Sequence, residues 1–192
     1  MGALKIAMWD WLGESLPLDF ANTIRRDGMT YVEMWRTGGD VVEWARRQHG
    51  QVPVPSPEEA EDRLGELRSV RDDAFALLMA TTSGRELPAD VTARINARAR
   101  TPVAVHQLGS VPGRIETYVV DSGSGVDELI ALVIAALIDL IGGGAHDDVG
   151  FCDAPSCGQF FVRERPNRRW CGAACGSRAR VARHANREAA GH

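Results

Sequence analysis

The sequence predicts a mainly α-helical protein with a small antiparallel sheet, arranged as a helical N-terminal domain (1–145) and a small C-terminal four-cysteine module (146–192) built of a hairpin and a helix. Three observations carry this. Apolar residues recur at helical spacing over most of the first 145 residues; the period shortens to two only between Thr101 and Asp121; and all four cysteines fall after residue 151. Charge divides the chain at the same place. Before residue 151 there are 14 Lys and Arg against 23 Asp and Glu, a net of -9; from there on, eight Arg against three acidic residues give +5, and the two make up the overall -4. An acidic body therefore carries a basic tail suited to a polyanion.

Leu18, Ala21 and Ile24 repeat at helical spacing around the polar pair Asn22 and Thr23. Asp40 is expected to cap a helix through Arg47 with Val41, Trp44 and Ala45 inward, and Gly50 to end it. Ser56-Pro57-Glu58-Glu59 is a helix start, with a capping serine, proline at the first helical position and glutamate at the third. That helix is expected to reach Thr82 and stop at Gly84, followed by a shorter one over 88–99 with Val91 and Ile95 on its apolar face. Val103 and Val105, then Ile115, Thr117 and Val119, alternate about a Gly- and Pro-containing turn and predict two antiparallel strands. Leu129 to Ile141 reads as the central helix, and Gly142 to Gly150 as a flexible linker. That apolar run falls short of the roughly 20 residues needed to span a bilayer. The N-terminus has no signal-peptide pattern, so no membrane partner and a cytoplasmic location are expected.

Cys152, Cys157, Cys171 and Cys175 are spaced Cys-x4-Cys-x13-Cys-x3-Cys. In a reducing compartment such paired thiolates favour a metal over disulfides, and four of them close a tetrahedral shell with no open position, so one structural Zn2+ is the expected cofactor. A segment of this size buries too little to fold alone, and metal binding would supply its stability. Residues 159–163 and 169–171 are expected to pair as a hairpin about a turn at 165–168, with Cys171 and Cys175 opening a helix. On that helix Arg180, Arg183, His184 and Arg187 occupy one continuous face, with Arg178 also present; Arg163, Arg165, Arg168 and Arg169 add charge on the hairpin. Eight arginines and no lysine favour forked recognition of phosphates or base edges, so all eight are candidate nucleic-acid contacts and DNA is the expected partner.

The tail resembles the zinc finger named for its Cys-Gly-Asn-Arg (CGNR) motif, through Cys152-x4-Cys157-Gly158, the Arg-Arg-Trp-Cys of 168–171 and Cys175-Gly176-Ser177-Arg178. The Leu-Asp-Phe-Ala-Asn-Thr of 18–23, with Leu67-Arg68-x-x-Arg71-Asp72, is similar to the ABATE domain that precedes that finger in a family described as candidate stress-induced transcription regulators. The resemblance implies a helical domain with a small sheet, a zinc module and DNA binding. Ser177 replaces the motif's asparagine: it can cap the following helix but cannot make an amide's bidentate contact to adenine.

The leading reading is a DNA-binding transcription regulator whose body senses a small-molecule effector or a partner; a palindromic operator would require a homodimer, for which no zipper is evident. Two other classes fit the same residues. In one, the body is an enzyme or small-molecule carrier with a purely structural finger, and Asn22, Thr23, Arg25 and Arg71 are the polar groups to test as a pocket; there is no phosphate loop or nucleophile elbow, and His49 and His106 stand apart. In the other, the basic tail meets an acidic protein.

Overall fold

A computed structural model of the chain describes residues 11–27, 30–100, 104–111, 113–121 and 124–190. The body begins with α1 (Leu16–Ala21), followed by β1 (Ile24–Asp27) and β2 (Thr30–Glu33), then α2 (Gly38–Arg47), α3 (Pro57–Asp62), α4 (Leu64–Thr82) and α5 (Ala89–Arg98). A hairpin of β3 (Ala104–Val111) and β4 (Arg114–Asp121) leads to α6 (Gly125–Gly142) and a single 3-10 turn (Ala145–Asp148). The tail comprises β5 (Val149–Phe151), β6 (Phe160–Val162) and α7 (Ala173–Ala190). Among the described residues there are three two-stranded antiparallel sheets, β1–β2, β3–β4 and β5–β6. Among the described residues no helix is long and apolar enough to cross a membrane.

The core explains most of the helix positions. Phe20 of α1, Trp35 between β2 and α2, and Trp44 of α2 meet edge to face at 5.3 to 5.7 Å between centroids, with all three rings fully buried. Leu67, Val70, Leu77 and Leu78 of α4 and Leu129, Val133 and Leu137 of α6 continue the same core. Each set follows the three-to-four-residue period that placed those helices in the sequence.

Several boundaries differ from expectation, each for a local reason. Helix α2 is capped by Thr37, not Asp40; Asp40 is the third helical residue, and its carboxylate accepts from the Thr37 N–H at 2.8 Å, the reciprocal half of a capping box. In α6 Ser124 and Asp127 divide the same roles. The apolar repeat Leu18, Ala21, Ile24 is helical only to Ala21; Ile24 opens β1, paired with Glu33. The helix expected over 57–82 breaks at Arg63. The break turns α3 against α2 so closely that a side chain at Gly38 would stand 2.5 Å from the Pro57 carbonyl and the Glu61 N–H. Arg63 then reaches Glu66 and Asp127, tying the start of α4 to that of α6. The Gly142–Gly150 stretch, expected as a flexible linker, holds the 3-10 turn and the start of β5.

One buried acid makes stability depend on pH. Asp19 is 4% exposed and accepts from the Glu14 N–H at 3.0 Å. Burial raises its pKa to about 7, with the hydrogen bond from the Glu14 N–H opposing the effect and the Glu14 charge adding to it. Burial also raises Glu14. A carboxyl whose folded pKa lies above its unfolded value near 3.9 holds its proton more tightly in the folded state, so its penalty is absent below about pH 4, grows as pH rises towards 7 and is complete above that. Asp19→Asn keeps the acceptor and removes the ionisation. It is expected to leave stability unchanged at pH 4 and raise it by roughly a few kcal/mol at pH 8, as read by urea unfolding at the two pH values. Equal unfolding midpoints at pH 8 would show that the carboxyl ionises without penalty.

Candidate metal centre and basic helix

Local chain geometry brings the four sulfurs together. Strand β5 pairs with β6 in the register Val149↔Val162 and Phe151↔Phe160. The loop between them is pinned by Cys152 N–H to Gln159 carbonyl (2.8 Å), Gly158 N–H to Cys152 carbonyl (3.0 Å) and Cys157 N–H to Ala154 carbonyl (3.1 Å). Gly158 has φ +75, a left-handed turn open to glycine. The expected pairing of 159–163 with 169–171 is not what forms: β6 takes 149–151 as its partner, and 169–171 runs as irregular chain. The turn at 165–168 does form, through the Arg168 N–H to the Arg165 carbonyl at 2.9 Å.

Arg168 shapes that irregular chain. Its guanidinium donates to the carbonyls of Val162 (3.1 Å), Trp170 (3.2 Å) and Cys171 (2.6 Å) and lies 5.1 Å from the Phe161 ring centre. It thereby holds Cys171 against the β5–β6 knuckle. Helix α7 follows at once and puts Cys175 in its first turn, where Gly176 leaves room for Trp170; a side chain there would lie 3.1 Å from the indole.

All four cysteines are free and buried, and their sulfurs lie within 4.8 Å of one another. Cys157 and Cys171 are 3.6 Å apart and Cys171 and Cys175 3.4 Å apart. A tetrahedral zinc with bonds near 2.3 Å sets sulfurs about 3.8 Å apart, so the donor set fits. The thiols also disturb one another's ionisation. Hydrogen bonding from Cys157 and Cys171 holds Cys152 far below the ordinary thiol range, while bonding to the Cys152 thiolate pushes Cys157 up to about 12 and Cys171 higher still. A divalent cation removes that conflict by stabilising all four thiolates. Four protein sulfurs leave no position for water, which makes such a zinc structural.

The eight tail arginines divide into different environments. Arg180, Arg183 and Arg187 are exposed and line one shallow concavity with His184, the face the sequence spacing predicts. Arg180 donates to the Ser177 hydroxyl at 3.0 Å, while Arg183 and Arg187 reach carbonyls of their own helix. Ser177 lies inside α7 and so is not its cap. Arg169 and Arg165 are exposed, Arg169 lying 5.4 Å from the Trp170 ring centre, and a second concavity joins Arg169, Asn167, Trp170, Ser177 and Arg180. Arg163 is half-buried at Gly150 and Phe161. Arg168 is turned inward, as described, and Arg178 donates to the Cys175 sulfur at 2.9 Å.

The four candidate pocket residues each have structural partners, with Arg71 tied to Glu33, the strand partner of Ile24 between Thr23 and Arg25. Asn22 ends α1 through its backbone N–H, which donates to the Leu18 carbonyl at 2.8 Å, and its carboxamide clasps β6: Nδ2 donates to the Phe160 carbonyl at 2.9 Å and Oδ1 accepts from the Phe160 N–H at 2.7 Å. The Thr23 hydroxyl donates to the Phe20 carbonyl. Arg71, 1% exposed, forks onto both Glu33 oxygens at 2.5 and 2.7 Å and reaches Asp72 at 2.8 Å. Arg25 sits in β1 opposite Val32. His49 is exposed in the turn after α2, and the His106 side chain lies outside the described residues.

The tail also completes the body. Phe160 and Val149 belong to the body's core, and Phe75 of α4 meets Phe160 and Phe151 at 5.0 and 6.1 Å. Glu14 accepts from the Val162 N–H at 3.1 Å. The sequence carried a signal for this: Phe151 and Phe160 are large apolar side chains beyond what four sulfurs and one metal need.

A helical body with small antiparallel sheets, closed by a four-cysteine zinc finger, is thus the class of protein defined by the fold and the metal centre. The chain belongs to the ABATE family, whose description is "Putative stress-induced transcription regulator" and whose model matches residues 14–144; the CGNR zinc finger matches residues 149–188. A comparison with curated proteins finds no match.

Proposed function

We propose that the protein is a cytoplasmic DNA-binding transcription regulator whose finger presents α7 to the duplex. The observation that carries this is the exposed row Arg180, Arg183, His184 and Arg187 on one face of a helix whose first turn is fixed at the metal centre. An α-helix of about 10–12 Å diameter fits a major groove about 12 Å wide, and an arginine row on it can reach phosphates and base edges. The family description supports the same reading. In this reading Arg165 and Arg169 extend the basic surface, while Asn22, Thr23 and Arg71 serve the fold and its hold on the finger.

The test is fluorescence anisotropy of the zinc-loaded protein with mixed-sequence duplex DNA between 50 and 200 mM salt. Five phosphate contacts give a log-log slope of about -4 to -5. Arg180→Gln, Arg183→Gln and Arg187→Gln are each expected to weaken binding and reduce that slope by about one. Absence of binding at low salt, or binding indifferent to salt, would sink the proposal.

A further inference from the structure

Zinc with four thiolates carries a formal charge of -2, and here that charge would lie among buried neighbours that are largely apolar: Ala154, Phe161 and Ala179, with Leu12 and Trp170 packed alongside. Taking net charge out of water is unfavourable without a compensating partner. Backbone N–H groups of Ala154 and Cys171 serve the Cys152 sulfur, and Arg178 supplies a charged partner, its Nη2 lying 2.9 Å from the Cys175 sulfur. The placement follows from helix geometry, since Cys175 and Arg178 are three residues apart on α7 and share a face. The neighbouring tail arginines act otherwise. Arg168 spends its donors on carbonyls, and Arg180 meets the Ser177 hydroxyl.

We infer that Arg178 is a positioning residue of the metal centre, neutralising part of the thiolate charge and holding the Cys175 sulfur, and is not one of the DNA contacts. The inference rests on the four-cysteine zinc site and is independent of whether the protein binds DNA. It has two chemical consequences. A donor bond to a coordinating sulfur favours its ionised form and fixes its direction, so the metal is held more tightly. The same bond withdraws charge from the sulfur, so the bound thiolate is a weaker nucleophile towards alkylating agents.

The test compares the full-length zinc protein with Arg178→Gln, Arg178→Lys and, as a control of equal charge loss on the same helix, Arg180→Gln. Competition with a coloured chelator is expected to show a loss of zinc affinity of about 10- to 100-fold for Arg178→Gln, a smaller loss for Arg178→Lys and no change for Arg180→Gln. With cobalt in place of zinc, the sulfur-to-metal charge-transfer band should move to lower energy in Arg178→Gln and return towards wild type in Arg178→Lys. Iodoacetamide labelling of the zinc-loaded protein, followed by peptide mapping, should find Cys175 alkylated faster in Arg178→Gln. A wild-type band and wild-type zinc affinity in Arg178→Gln, or equal effects from Arg180→Gln, overturn the inference. If Arg178→Gln does not fold, the cobalt band of folded Arg178→Lys decides, a position identical to wild type counting against it. Where the wild type binds DNA, a slope reduced by one in zinc-loaded Arg178→Gln would make the residue a phosphate contact and likewise overturn it.

Discussion

Removing the metal from the intact protein will destabilise the helical body along with the finger. Zinc contributes an apparent 10–16 kcal/mol, roughly, to small thiolate modules of this kind. Its loss frees β5 and β6, and those strands carry Val149 and Phe160 into the body's core and set Phe151 against Phe75. Burying each such side chain is worth about 1.5–3 kcal/mol, so the body stands to lose roughly 5 kcal/mol. For a chain of this length that corresponds to a fall of about 10–20 °C in the thermal midpoint. The measurement is calorimetry under reducing conditions with and without a strong chelator, with near-ultraviolet circular dichroism following the Phe20, Trp35 and Trp44 cluster. Cys157→Ser should behave like the chelated protein. A body transition that stays in place while the finger's signal vanishes would mean that the two parts stand independently.

The second large effect is expected at Asn22. Its carboxamide pairs with both backbone groups of Phe160 inside the protein, at 2.9 and 2.7 Å. Asn22→Ala leaves a buried N–H and a buried carbonyl without partners, at about 1–3 kcal/mol each, so a total loss of roughly 2–6 kcal/mol is expected in urea unfolding of the zinc-loaded protein. Asn22→Asp keeps the size but turns an acceptor towards the Phe160 carbonyl, so it should be at least as costly at neutral pH and milder when the new carboxyl is protonated. A change below about 0.5 kcal/mol for Asn22→Ala, within the range of an ordinary surface substitution, would dismiss the clasp.

Much of this arrangement could be read from the chain. Capping residues and apolar periodicity placed α2, α5, α6 and the β3–β4 hairpin to within a few residues, because each is decided by neighbours close in sequence. The four sulfurs and the Arg180, Arg183, His184, Arg187 face followed from spacing for the same reason. What periodicity could not show was settled by distant partners. Strands β1 and β2 are four residues each, and β1, Ile24–Asp27, is three-quarters charged, so no alternation marks it. The true partner of β6 lay hidden in a glycine-rich stretch that reads locally as a linker. The arginines of the tail look equivalent in sequence, yet Arg168 is committed to three carbonyls and Arg178 to a sulfur. Asn22 could be recognised as a buried amide, but not as the residue that holds the finger.

The clasp between Asn22 and Phe160 spans 138 residues of sequence, and that separation governs the order in which the molecule can be assembled. Helix α1 leaves the ribosome early, but the strand that completes its hydrogen bonds and fills the core beside it is made long afterwards. At about 5–20 residues per second, the interval is of the order of ten seconds. Throughout it the growing chain carries a body with an open apolar face around Phe75, and closing the longest loop must wait for the strand that also bears the metal ligands. Metal supply during synthesis thus decides how long that face stays uncovered, and with it the exposure of the newborn chain to aggregation.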